Sequence, residues 1–174
     1  MPPTEPRPEP PVPEGEIDIV LALSGLRAAD AEDALRTLAA HLLDEGSVAE
    51  GFPAALLERE RSYPTGLPTP LPTAIPHADP EFVHRPGLAI ATLAEPVGFG
   101  EMGGGTDEDG QVRRLPVRLI AMPLLTDARA HLRALQHLMA VLRDEAQVTR
   151  LLDAADDTDL AGRASRLLAG EEDA

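Results

Sequence analysis

Apolar positions along the chain fall into blocks whose spacing switches between two regular periods. "IDIVLAL", from Ile17 to Leu23, is β-branched and nearly continuous, which predicts a buried strand. Asp30 stands before "AEDALRTLAAHLLDEG", where Leu35, Leu38, Leu42 and Leu43 repeat at helical spacing and Gly46 closes the run. That pattern predicts a helix capped by Asp30. "FPAALLERER" predicts a second, shorter helix with Pro53 in its first turn. "SYPTGLPTPLPT" carries four prolines and predicts coil. "AIPHA" predicts a short strand ending at His77, and Gly87 to Leu93 a longer one. "EPVGFGEM" predicts a turn and a further strand, "GGGTDEDGQ" a loop, and "LPVRLIAMPL" a strongly apolar strand at the centre of a sheet. Asp127 is the expected cap of a helix over "ARAHLRALQHLMAVLRDE", with Leu132, Leu135, Leu138, Met139 and Leu142 as its apolar face. Two short helices, around "QVTRLLDAA" and "DLAGRASRLLAG", complete the pattern.

This order predicts an α/β fold, a single-domain mixed sheet with helices packed on it, over residues 16–170. Residues 1–15 hold seven prolines and little that is apolar, so a disordered tail is expected there. The chain's 174 residues suffice for a proper core, and with aromatics at 2% that core must be built from Leu, Val, Ile and Ala. The absence of Trp weakens any sugar-stacking or single-strand-binding role. A net charge of −15 repels nucleic acid and anionic lipid. All 15 basic residues are Arg and Cys is absent, which removes lysine Schiff bases, a Walker lysine, thiol nucleophiles and disulfides. The first residues read as no signal peptide, and no apolar run approaches the roughly 18 residues of a membrane span. A cytoplasmic protein with no nucleic-acid partner and no membrane insertion is expected.

Three features can carry chemistry. His77 stands at a strand end, where side chains emerge into a cleft. His131 falls in the first turn of a helix, where free N–H groups and the positive dipole end suit an anion. The third is "ERER", Glu58 to Arg61, where an arginine could grip phosphoryl oxygens in a fork. Each also has an ordinary structural reading, as a strand-end or helix residue or a solvated face. His77, Asp79 and His84 match no usual zinc spacing, so no metal and no cofactor is expected.

Taken together, "LLERERSYPTGLPTPLPTAIPHADPEFV" resembles the active-site segment of the phosphotransferase-system enzyme IIA domains of the fructose–mannitol type, and its "YPTGLPT…AIPHAD" wording is nearest the galactitol branch. "VRLIAMPLLTDARAHLRALQHLMAVLRDE" is similar to the family's second signature, a histidine opening a leucine-rich helix after a central strand. The resemblance implies a mainly five-stranded sheet between helices. It implies that His77 is the phosphorylated histidine, carrying the group on Nε2, charged by the carrier HPr and discharged to a cysteine of an enzyme IIB on a separate chain. It implies that His131 helps place the phosphoryl group, and that Arg59, first in the pattern R-E-x-x-x-P-T-G, stabilises its oxygens. A regulatory module controlled by its phosphorylation state is the alternative the resemblance leaves open. Pro70, Pro72 and Thr73 replace the glycines common before the Ile-Pro-His step, which predicts a stiffer loop.

Overall fold

The computed structural model describes residues 17–104, 106, 108–127 and 131–170. The Pro-rich segment 1–15 lies outside the described residues. The elements follow as β1 (Ile19–Leu26), α1 (Ala31–Asp44), α2 (Phe52–Ser62), β2 (Gly66–Leu67), β3 (Thr73–Ala74), a single 3₁₀ turn (Pro80–Phe82), β4 (Gly87–Gly100), β5 (Arg114–Leu124), α3 (Leu132–Arg143), α4 (Glu145–Leu152) and α5 (Asp157–Leu168).

The strands form one five-stranded sheet in the order β1-β4-β5-β3-β2. β1 runs parallel to β4 and β3 parallel to β5. β4 against β5 and β2 against β3 are antiparallel, so the sheet is mixed. β5 is the middle strand, which is why its sequence is apolar on both faces.

Alternation along the central strands separates two cores. On one face Ala89, Ala91 and Leu93 of β4 and Ile120, Met122 and Leu124 of β5 pack with Leu35, Leu38 and Leu42 of α1 and Phe52 and Leu56 of α2. On the other, Leu88 and Ile90 with Leu119 and Ala121 pack with Leu138 and Leu142 of α3, Val148 and Leu151 of α4, and Leu160 and Leu167 of α5. Each fully buried Leu contributes on the order of 2 kcal/mol of transfer free energy, so the three of α1 alone hold that helix down.

Helix ends follow local chemistry. Asp30 caps α1 by accepting the Asp33 N–H at 2.8 Å. Asp144 caps α4 through the N–H groups of Ala146 and Gln147, and Asp156 caps α5 through that of Asp159.

Four expectations are corrected. The "EPVGFGEM" stretch is the second half of β4, not a separate strand after a turn: the register shifts between Thr92 and Val97, where exposed Glu95 and Pro96 bulge out and Pro96 has no N–H to pair. The strand before His77 is only Thr73–Ala74: the Ile75 N–H still bonds the Thr65 carbonyl at 3.2 Å, one rung beyond Gly66↔Ala74, and Pro76 then has no N–H to carry the pairing on. The proline-rich coil contains β2, held by Gly66↔Ala74 and Leu67↔Thr73. Helix α3 starts at Leu132 with His131, not Asp127, in the cap position; residues 128–130 lie outside the described residues. Its buried face is Ala134, Leu138, Val141 and Leu142, whereas Leu132 is 55% exposed. Leu132 sits six residues, about 240° of helical turn, from Leu138, so it cannot share that face.

Candidate functional site

His77 follows β3 on a loop stiffened by Pro76 on one side and Pro80 on the other. The ring is half-buried, and its Nδ1 lies 3.0 Å from the Ile75 carbonyl oxygen. A carbonyl only accepts, so Nδ1 must carry the proton. The lone pair of the neutral ring is then on Nε2, the nitrogen left free to attack an electrophile.

Arg59 reaches this loop from the last turn of α2. Its Nη1 meets the Asp79 carboxylate at 3.4 Å, and its Cζ lies 5.8 Å from the centre of the Tyr63 ring. Its Nε–H is buried and has no acceptor. A buried, unpaired guanidinium donor costs about 1–3 kcal/mol, and an arriving anion would relieve that cost. The guanidinium lines a cleft of about 350 Å³ shared with Tyr63, Asp79 and Phe82, on the Asp79 side of the His77 loop. Tyr63 is 69% exposed, a large aromatic at the rim.

His131 occupies the cap position of α3 without a side-chain capping bond. The helix follows β5, the parallel neighbour of β3, so the segments bearing His77 and His131 both leave the sheet from its carboxyl-end edge. Ligands bind at that edge in open α/β sheets. The structure thus ties Arg59 to the His77 loop by direct contact and places His131 by topology. No group of three His, Asp or Glu among the described residues could hold a metal, and Asp79 faces Arg59.

The sequence reading overlooked Glu60. Arg59 points to the His77 loop, while Glu60, one residue and about 100° further round α2, lines a different cleft of about 420 Å³ with Glu32, Arg61 and Arg114. Neither cleft is lined by a histidine, and it is the Arg59–Asp79 contact that ties the smaller one to the His77 loop. The Glu60 carboxylate accepts the Thr65 N–H at 3.0 Å and the Thr65 hydroxyl at 2.8 Å. Burial pushes its pKa up, and the two Thr65 bonds pull partly the other way. The second letter of R-E-x-x-x-P-T-G was the signal that could have found it, since Glu60 and Thr65 are the E and T of that pattern.

The glycine of the pattern has an equally direct cause. A Cβ on Gly66 would sit 2.6 Å from the Gly100 carbonyl oxygen, and one on Gly100 would sit 2.8 Å from Pro64 Cβ. The backbones of β2 and the end of β4 approach too closely for any side chain.

Comparison with known proteins gives this geometry a context. Residues 18–162 match the family model described as phosphoenolpyruvate-dependent sugar phosphotransferase system, EIIA 2. The multiphosphoryl transfer protein of Escherichia coli O157:H7 is 31% identical over 149 residues, covering 85% of this chain and 35% of that one. The chain therefore spans about a third of that relative's length. Among solved structures, enzyme IIAMtl in complex with phosphorylated enzyme IIBMtl, from Escherichia coli, superposes with a TM-score of 0.61 at 26% identity, covering 84% of this chain and 92% of that one. The crystal structure of Escherichia coli IIA mannitol gives 0.60 at 26% identity over 83% and 92%. The chain belongs to the EIIA 2 family of the phosphoenolpyruvate-dependent sugar phosphotransferase system and is an EIIA-type phosphotransferase domain.

Proposed function

We propose that His77 Nε2 accepts a phosphoryl group from the phosphohistidine of HPr and passes it to a cysteine of an enzyme IIB on a separate chain, in the cytoplasmic limb of a sugar or polyol uptake system. The observation that carries this is the Nδ1–Ile75 bond, which leaves Nε2 as the nucleophile. The Nε2 lone pair attacks phosphorus, the P–N bond to the donor imidazole breaks, and the electron pair leaves with the donor nitrogen. His77 becomes a phosphohistidine whose ring carries positive charge, and its Nδ1–H stays anchored on the Ile75 carbonyl. The reverse balance delivers the group to a thiolate.

Arg59 supplies the charge for the equatorial oxygens from its partly exposed guanidinium. His131 adds a ring N–H beside the free N–H groups of the α3 terminus. These residues need no lysine or thiol, and the chain has neither. The enzyme IIB partner is supported by the related IIAMtl, whose structure was determined with phosphorylated enzyme IIBMtl. Among the described residues no helix is long and apolar enough to cross a membrane, in keeping with a partner that docks from solution.

Incubation with phosphoenolpyruvate, enzyme I and HPr is expected to give an acid-labile, base-stable adduct on the wild type and none on His77→Gln. Label retained by His77→Gln would refute the assignment.

A further inference from the structure

Four residues link the far side of α2 to the His77 ring. Glu60 grips both donors of Thr65. The Thr65 carbonyl accepts the Ile75 N–H at 3.2 Å. The Ile75 carbonyl accepts the His77 Nδ1–H at 3.0 Å. Pro64 and Pro76 offer no N–H of their own, so the two strands of this clamp have few other ways to be held. We propose that Glu60 is a positioning residue for the phosphoryl-accepting histidine: by fixing Thr65, and through it the Ile75 peptide, it sets which nitrogen of His77 bears the proton. This rests on the reading of His77 as acceptor.

The geometry favours this role over simple loop anchoring. The β2–β3 pairing is short, and its last rung towards His77 is the single Ile75 N–H bond to the Thr65 carbonyl, the residue that Glu60 holds. Thr65 is buried, with 2% of its surface exposed, and among the described residues its N–H and hydroxyl are the hydrogen-bond donors to the Glu60 carboxylate. A neutral threonine is a poor stabilising partner for a half-buried carboxylate. It is a precise one, because two bonds to one residue fix both the position and the orientation of Thr65. An unconstrained neutral imidazole prefers its proton on Nε2, which would leave that nitrogen without a lone pair. Losing the Ile75 contact therefore turns the nucleophile away from the donor without removing it.

The test is nitrogen NMR of the imidazole rings in the full, unphosphorylated chain, paired with transfer from phospho-HPr. Wild type is expected to show His77 as the Nδ1–H tautomer. Glu60→Ala is expected to shift it towards Nε2–H and to slow transfer about tenfold. Glu60→Gln can accept the Thr65 N–H and donate to its hydroxyl, so it should restore both readouts. Glu60→Asp keeps the charge but is one methylene too short, and it decides the question if the alanine variant fails to fold. A folded Glu60→Ala or Glu60→Asp protein with the wild-type His77 tautomer would overturn the proposal. The ring measurement needs no phosphoryl donor, so label appearing on another residue would sink the acceptor assignment while leaving this result standing.

Discussion

The Arg59 guanidinium meets the Asp79 carboxylate at 3.4 Å, two residues beyond His77. With His77 as the proposed acceptor, that contact would oppose the transfer. A phosphoryl group on His77 would compete with Asp79 for the same cation, and Asp79 would add repulsion. The pair is exposed, 38% on the Arg59 side chain and 63% on Asp79, so its worth to folding is at most about 1 kcal/mol. Asp79→Asn should therefore leave stability almost unchanged and shift the phosphoryl equilibrium with HPr towards this protein by about threefold. Arg59→Lys loses the planar fork and the stack on Tyr63, and transfer should slow by about 10- to 100-fold. Single-turnover labelling from phospho-HPr reads both, and an Asp79→Asn equilibrium equal to wild type would show that the carboxylate does not feel the phosphoryl charge.

His131 makes no capping bond and is only half-buried, so folding asks little of it. His131→Ala should unfold within about 0.5 kcal/mol of wild type, as for a surface substitution away from special features. If the ring helps to place the phosphoryl group, transfer should fall by about 10- to 100-fold while the fraction finally labelled changes less. A loss of stability with no change in rate would make His131 a structural residue.

The substitution Gly66→Ala tests the close approach beneath the site. Its Cβ would collide with the Gly100 carbonyl, and backbone cannot swing aside as a side-chain tip can. β2 would have to leave the sheet edge, breaking the bond from the Met102 N–H to the Gly66 carbonyl at 2.7 Å. A destabilisation of about 2–4 kcal/mol is expected, well above the cost of a surface change. Chemical denaturation measures it, and a value under about 1 kcal/mol would mean that the strand can shift freely.

How far the sequence revealed this molecule depended on whether information was local. The apolar runs of β1 and β5 and the leucine stripe of α1 bury whatever surrounds them, so period and caps were enough to place them. The Asp30 cap was legible for the same reason. β2 was not, because two residues carry no periodicity and Gly66–Leu67 pairs only where Ala74 and Thr73 happen to lie. β4 misled because Pro96 looks like a terminator in one dimension but becomes a bulge when β5 continues beside it. Leu132 joined the predicted face of α3 because it is a leucine in the run, but it lies about 240° round the helix from Leu138 and is 55% exposed. At the site, residue types pointed to His77, Arg59 and His131. The Asp79 contact and the Glu60 clamp are pairings across 20 and 5 positions, which spacing alone does not encode.

Stability against pH should follow two opposing sets of carboxylates. Asp144 is held below 3.8 chiefly by the side-chain amide of Gln147, and Asp159 chiefly by the Ala155 N–H. Depressed groups contribute stability that is complete above 3.8 and is lost as pH falls through their folded values. Glu60 has the other sign: burial raises it above 4.5, so its ionised form weakens the fold, fully at neutral pH and not at all below 4.5. Acidification from neutrality should first stabilise the protein, as Glu60 takes up its proton, and then destabilise it below 3.8. Glu60→Gln should flatten the first limb, since the amide carries no charge to desolvate. Asp144→Asn should shrink the second to the share that Asp159 carries and change little at neutral pH, since Asn caps a helix about as well as Asp. Urea midpoints measured across the acid range separate the two limbs, and a wild-type first limb in Glu60→Gln would show that another group produces it.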